Sequence, residues 1–395
     1  AEANALVLPI DETDEQLLFL PLSHVFARVA YLTALRAGAT TALTRGVASL
    51  REDLREIRPT IVVAVPRVFE RIHAEALAQG ERLSAPRRAA FHRSAAIALE
   101  RGRRAATLPP GPPPSLRERM EASLFADTFF AQVREAFGGR IRYAICGGAS
   151  LSYDLTCFFV GSGVFVLEAY GQTETCGAIC MNRPDRYLLG SSGPALPGVE
   201  IRLDEDAEIL VRGRTNMTGY WKDEDATADA FDGDWLRTGD VGEFTGAYLR
   251  ITDRKQDVLV TTSGKRIAPQ PIEAMLRSIP WVEHAVVCGE GHPWLVALLS
   301  LRRDTIVAWA DEHGLGALDR AALCSHPKIH ALIQRSLDPI NAELAPHETI
   351  RRFALLDEEF GLGSGELTPT WKTRRRFVAE KHKSVVDGLY QDPFD

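Results

Sequence analysis

The chain has 395 residues, 45% of them hydrophobic and 25% charged, with a formal net charge of −7. This composition describes a globular protein long enough for two or more domains, and the acidic balance argues against nucleic acid as its main partner. No apolar run reaches the roughly 18 residues that a spanning helix needs, because the best candidate, 17–43, is interrupted by His24, Arg28 and Arg36. The opening AEANALVLPIDETDE lacks the basic-then-apolar order of a secretory leader. Six cysteines (146, 157, 176, 180, 288 and 324) have no metal-ligand spacing, so buried free thiols in a reducing cytoplasm are expected for all six.

In chain order, residues 17–20 read as a strand and 24–36 as a helix with Ser23 as N-cap and Gly38 as its stop. Strand 39–43 and helix 49–57 follow, the latter ended by Pro59. Strand 61–65 leads into a helix opened by Pro66. Alternation of this kind predicts a parallel or mixed sheet covered by helices. Residues 81–104 read as one helix carrying Arg82, Arg87, Arg88, Arg93, Arg101, Arg103 and Arg104. Its apolar side is mostly alanine, which favours a solvated face over contact with anionic lipid; both readings stand. The Pro-rich stretch 108–114 is a stiff linker between this helix and the next, 117–137.

Strand 141–146 runs into Gly147-Gly148-Ala149-Ser150, and helix 153–161 precedes the apolar strand 164–167. The polar stretch AYGQTE at 169–174 follows that strand, where ligands of open α/β sheets bind. Tyr170 offers a flat face, Gly171 a close backbone approach, Thr173 a hydroxyl for a phosphate, and Glu174 a hard carboxylate of the kind Mg²⁺ accepts. An ordinary turn fits these six residues equally well. After Gly193 short strands at 200–203, 208–212 and 248–252 suggest a β-rich subdomain. From Asp257 a separate α+β unit is expected, with strands 258–261, 284–288, 295–301 and 353–356 and helices 271–277, 305–313 and 327–343. The flexible GLGSG at 361–365, the stretch ELTPTWK at 366–372 and one basic helix, 373–390, close it, with Arg374, Arg375 and Arg376 on a solvated face.

Four further stretches accompany AYGQTE: PLSHVF at 21–26; EILVRG at 208–213 with GYW at 219–221; WLRTGDVG at 235–242; and ITDRK at 251–255 followed by SGKRI at 263–267. Alone, Asp240 could be a turn residue and Arg254 a surface ion pair. In this order they resemble the ANL superfamily of adenylating enzymes, which comprises acyl-CoA synthetases, peptide-synthetase adenylation domains and luciferases. PLSHVF, the GELTPTWK ending and the arginine-rich helix with its linker resemble in particular the bacterial long-chain fatty acid–CoA ligases.

The resemblance implies an α/β fold, with the C-terminal part of a large AMP-binding domain in 1–255 and a small mobile domain in 256–395 hinged near Gln256, where the family usually carries Asp or Lys. It implies ATP, Mg²⁺ and coenzyme A as cofactors, and a fatty acid made into acyl-adenylate and then acyl-CoA. Gly148 and Ala149 would flank adenine with Tyr170 stacked on it; Thr173 would hold the α-phosphate and Glu174 the Mg²⁺. Asp240 and Arg254 would hold the ribose, Lys372 would be the catalytic lysine, His24 would sit by the acyl carboxylate, and Gly264 would let pantetheine pass. The family's Ser/Thr/Gly-rich phosphate loop ending in Pro-Lys, which lies upstream of PLSHVF, is not found here. The expectation is therefore a fragment, poorly soluble or inactive alone; cooperative unfolding and acyl-CoA formation by the purified chain would contradict it. Other acids, an acyl-AMP ligase serving a carrier protein, and a non-catalytic remnant are the alternatives. Cytoplasmic location, with peripheral contact to the inner membrane, completes the expectation.

Overall fold

The computed structural model describes residues 1–391 except 47–48, 82, 106–115, 117–119, 121–128, 256, 362 and 369–372. The Pro-rich linker, Arg82, the hinge position Gln256 and Lys372 thus lie outside the described residues, as does most of the helix expected at 117–137, of which Ala131–Glu135 is described. The chain divides into two compact units, Ala1–Thr252 and Asp253–Asp395.

The first unit is built on a six-stranded sheet of order β2-β1-β3-β4-β5-β6. The strands are β1 (Glu15–Leu18), β2 (Thr40–Leu43), β3 (Ile61–Ala64), β4 (Tyr143–Cys146), β5 (Val166–Gln172) and β6 (Gly177–Met181). All pairs are parallel except β5–β6, which is antiparallel. In β3, Val62 and Ala64 join one apolar cluster, with Phe69, Phe137 and Phe159, while Ile61 and Val63 join another on the opposite face. A strand buried on both faces needs unbroken apolar sequence, which explains IVVA. The β-rich part is a second sheet of order β11-β10-β8-β7, made of β7 (Val199–Leu203), β8 (Glu208–Gly213), β10 (Trp235–Thr245) and β11 (Tyr248–Arg254), with the short β9 (Phe231–Asp232) on β10.

Helix Val25–Ala37 begins one residue later than the sequence suggests, with His24 rather than Ser23 at its N-cap, and ends at Gly38 in the left-handed conformation, φ 78°. The arginine-rich helix begins four residues later than the sequence suggests. Helix Pro66–Glu81 ends before it, and a new helix runs Ala85–Ala105. Its packed side carries Phe91, Ser94, Ile97, Ala98 and Gly102. A Cβ on Gly102 would fall 1.9 Å from the Cys157 carbonyl, and one on Gly161 would fall 1.7 Å from that of Ala98. This helix and Tyr153–Gly161 therefore touch backbone to backbone, and small residues are the condition for it. Arg87, Arg88 and Arg93 lie on the exposed part. Among the described residues, no helix is long and apolar enough to cross a membrane.

The second unit packs helix Pro269–Ser278 and others on a three-stranded sheet, β14 (Val282–Cys288), β15 (Leu295–Leu301) and β16 (Ile350–Leu356). The basic C-terminal helix is divided at His382 into Arg375–Lys381 and Lys383–Tyr390. Its arginines are not all solvated: the Arg375 side chain is 12% exposed, with Nε 2.8 Å from Glu273 Oε1 and Nη1 3.1 Å from Asp257 Oδ2. A guanidinium whose fork meets two carboxylates can be buried where a lone one cannot. Five cysteines are buried and free as expected; Cys176 is exposed, at φ 52° in the β5–β6 turn.

Candidate functional site

The strand leading to AYGQTE does not stop at Leu167. β5 continues through Tyr170, Gly171 and Gln172 because these residues pair with β6. Gly171 meets its close approach within the hairpin, since a Cβ there would stand 1.8 Å from the Gly177 carbonyl oxygen. The Thr175 hydroxyl fastens the turn by accepting from Gln172 N–H at 2.9 Å and donating to Gly177 O at 2.8 Å. Thr173 stands exposed at the tip beside the half-buried Glu174. The Glu174 carbonyl accepts Met217 N–H at 2.7 Å, and its Oε1 accepts the Tyr220 hydroxyl at 3.1 Å.

Tyr170 and Asp240, 70 residues apart, meet directly: the phenol donates to Asp240 Oδ2 at 2.7 Å. Gln172 Nε2 donates to the same oxygen at 2.7 Å and to Thr238 O at 2.8 Å. Asp240 is 4% exposed and lies within β10, not in a free turn. The left-handed Gly239, φ 68°, interrupts the ladder there, and its N–H donates to buried Glu208 at 2.9 Å. Burial first, and the Asp240 carboxylate second, push the Tyr170 phenol well above its ordinary value, so it stays a donor.

The register Cys146↔Glu168 sets the β4 loop beside Ala169 and Tyr170. A Cβ on Gly147 would lie 3.3 Å from the Ala169 carbonyl and 3.1 Å from the Phe26 ring. Gly148, φ 84°, and Ala149 follow it, both exposed. Phe26 and Val29, which reaches Gly177, bring the helix that starts at the half-buried His24 against this region. Burial pushes the Glu168 carboxyl up to about 8, with the Thr156 hydroxyl 3.4 Å away. The structure thus gathers Gly148, Ala149, Tyr170, Gly171, Thr173, Glu174 and Asp240 at the carboxyl end of the parallel strands, with His24 beside them. Arg254 and Gly264 belong to the second unit. Gly264, φ 74°, sits in the turn between β12 (Leu259–Val260) and β13 (Arg266–Ile267), and nothing stands within 4 Å of a Cβ placed there.

Sequence reasoning missed the parts of Gln172, Glu168, Glu208 and Tyr220. Gln172, Glu208 and Tyr220 stand inside stretches singled out for their neighbours, whereas nothing local marks Glu168 as a buried acid.

Residues 2–221 match the AMP-binding enzyme family and residues 256–393 the AMP-binding enzyme C-terminal domain. The long-chain-fatty-acid–CoA ligase FadD15 of Mycobacterium bovis is 34% identical over 380 residues, which are 95% of this chain and 62% of that protein. Long chain acyl-CoA synthetase 4 of Arabidopsis thaliana is 32% identical over 402 residues, 96% of this chain and 58% of that protein. The chain therefore spans about three fifths of the length of these curated relatives. Among solved structures, the adenylation domain of a carboxylate reductase from Mycobacterium chelonae superposes with a TM-score of 0.73 at 25% identity, covering 95% of this chain and 54% of that one. By its matched large-domain and C-terminal segments, and by a mixed α/β fold shared with adenylation domains, this chain belongs to the AMP-binding enzyme family.

Proposed function

We propose that the protein is an AMP-forming ligase that activates a fatty, long-chain acid and transfers it to coenzyme A. In the first step a carboxylate oxygen attacks the α-phosphorus of ATP, forming acyl-adenylate and releasing pyrophosphate. In the second the thiol of coenzyme A attacks the acyl carbon, the bond to AMP breaks, and the thiol proton is released. The observation that carries this reading is the Tyr170–Gln172–Asp240 cluster at the carboxyl end of a parallel sheet, where nucleotides bind, in a chain of this family. The names of the relatives support the choice of acid.

In this reading Gly148, Ala149 and Tyr170 hold adenine, with Gly171 carrying Tyr170 into the hairpin, and Asp240 takes the ribose hydroxyls. Thr173 holds the α-phosphate, and His24 lies by the acyl carboxylate. Arg254 lies at the end of the large domain, 1–255, while Gly264 and Lys372 come from the small domain, 256–395, which turns about Gln256 on it. Among the described residues no group of three or more His, Cys, Asp and Glu can hold a metal. A single carboxylate, Glu174, fits a Mg²⁺ ion held jointly with nucleotide phosphates. Such an ion would offset phosphate charge as the two anions approach.

Incubation with fatty acids of graded length, ATP, Mg²⁺ and coenzyme A, followed by mass spectrometry, should yield acyl-CoA and AMP. Acyl-adenylate that never passes to coenzyme A would mean an acyl-AMP ligase, and failure to bind any adenine nucleotide would mean a non-catalytic remnant. A cytoplasmic site of action with peripheral contact to the inner membrane is part of the proposal, through the exposed Arg87, Arg88 and Arg93. Neutralising all three should markedly reduce co-sedimentation with anionic liposomes at low salt; unchanged binding would remove membrane contact from the reading.

A further inference from the structure

We infer that Tyr220 is a positioning residue for Glu174, holding that carboxylate ready for a divalent cation on a nucleotide polyphosphate; the inference rests on the reading of Glu174 above. Two bonds from one stretch of chain tie Glu174 down: Met217 N–H reaches its carbonyl at 2.7 Å, and the Tyr220 hydroxyl reaches Oε1 at 3.1 Å. That stretch is itself secured. Tyr220 N–H donates to the Thr227 hydroxyl at 2.9 Å, and that hydroxyl donates to the Asp223 carbonyl at 2.7 Å. Asp223 in turn caps helix Glu224–Asp229, its side chain accepting Ala226 N–H at 3.0 Å.

The phenol is therefore held at the edge of the Thr173–Glu174 turn by a segment anchored to a capped helix. A surface glutamate left to itself samples several rotamers and loses that freedom when it meets a cation. One oxygen engaged by a phenol limits that sampling, so the entropy is already spent when the metal–nucleotide arrives.

The test titrates Mn²⁺–ATP onto the 395-residue chain, read by water proton relaxation, alongside metal-free AMP read by calorimetry. Tyr220→Phe should weaken Mn²⁺–ATP about three- to tenfold, with AMP affinity and the thermal midpoint unchanged. Thr227→Val, which removes the hydroxyl that seats Tyr220, should act in the same direction. If Glu174→Gln weakens Mn²⁺–ATP while Tyr220→Phe does not, the inference falls and the reading of Glu174 stands. If Glu174→Gln leaves Mn²⁺–ATP binding intact, or the unaltered chain binds none, that reading falls and the inference with it. Equal loss of AMP and Mn²⁺–ATP affinity in Tyr220→Phe would mean a general structural part and would also overturn it.

Discussion

Lys372→Ala is expected to slow acyl-adenylate formation by about 10²–10³-fold, the range seen when one charge-stabilising donor is removed from a preorganised site. The reason lies in the first step. A carboxylate must approach a polyphosphate, and negative charge spreads over the phosphoryl oxygens as it does so. A compact ammonium on a flexible stem stabilises that charge when it is near and need not remain near afterwards. In the sequence Lys372 follows GLGSG at 361–365 and Thr-Pro-Thr at 368–370. The second step creates no such meeting of anions, so transfer from preformed acyl-adenylate to coenzyme A should proceed in Lys372→Ala as in the unaltered protein. Separate assays of the two half-reactions check this. Full adenylation activity in Lys372→Ala, or equal loss of both steps, would remove Lys372 from the role proposed for it.

How far the sequence carried depends on where each residue's partner lies. Helices Tyr153–Gly161 and Pro327–Glu343 and strand Leu295–Leu301 match the sequence reading at both ends. Their signals are local: apolar runs of suitable length, and in Pro327 a residue pre-set for the first helical turn. The strand character of Tyr170–Gln172 was not legible, because glycine and polar residues suggest a turn and the pairing with Gly177–Met181 overrides that preference. Asp240 was recognisable only through the order of the motifs. Its meeting with Tyr170 depends on two sheets coming together, which no periodicity encodes. The packing of helix Ala85–Ala105 on Tyr153–Gly161 was not legible for a related reason. The close approach of the second helix rests on Gly102 and Gly161, two isolated glycines that no periodicity singles out.

Arg375 was misread most clearly, and its replacement carries the largest stability effect expected in the second unit. Arg375→Met should cost about 3–5 kcal/mol, the usual penalty for removing one partner of a buried charge pair. The guanidinium meets Glu273 with two 2.8 Å bonds and Asp257 at 3.1 Å. Glu273 Oε1 also accepts Val287 N–H at 3.0 Å, so the pair joins helix Pro269–Ser278, strand β14 and helix Arg375–Lys381. Without Arg375 the Glu273 carboxylate is left buried and uncompensated. Glu273→Met combined with Arg375→Met should recover most of the loss, because apolar contact replaces the pair; a double-mutant cycle by urea denaturation measures this. Additive losses would show that the two side chains act independently. The same guanidinium bears on pH. Burial raises Asp253 to about 6, against the pull of Arg375. The folded state therefore holds a proton that the unfolded state has released, and stability falls as pH rises from the ordinary carboxylate range to about 6. Removing Arg375 withdraws the opposing charge and extends that fall to higher pH. Denaturation of Arg375→Met at a series of pH values should therefore diverge from the unaltered protein above pH 6, and parallel profiles would separate Arg375 from Asp253.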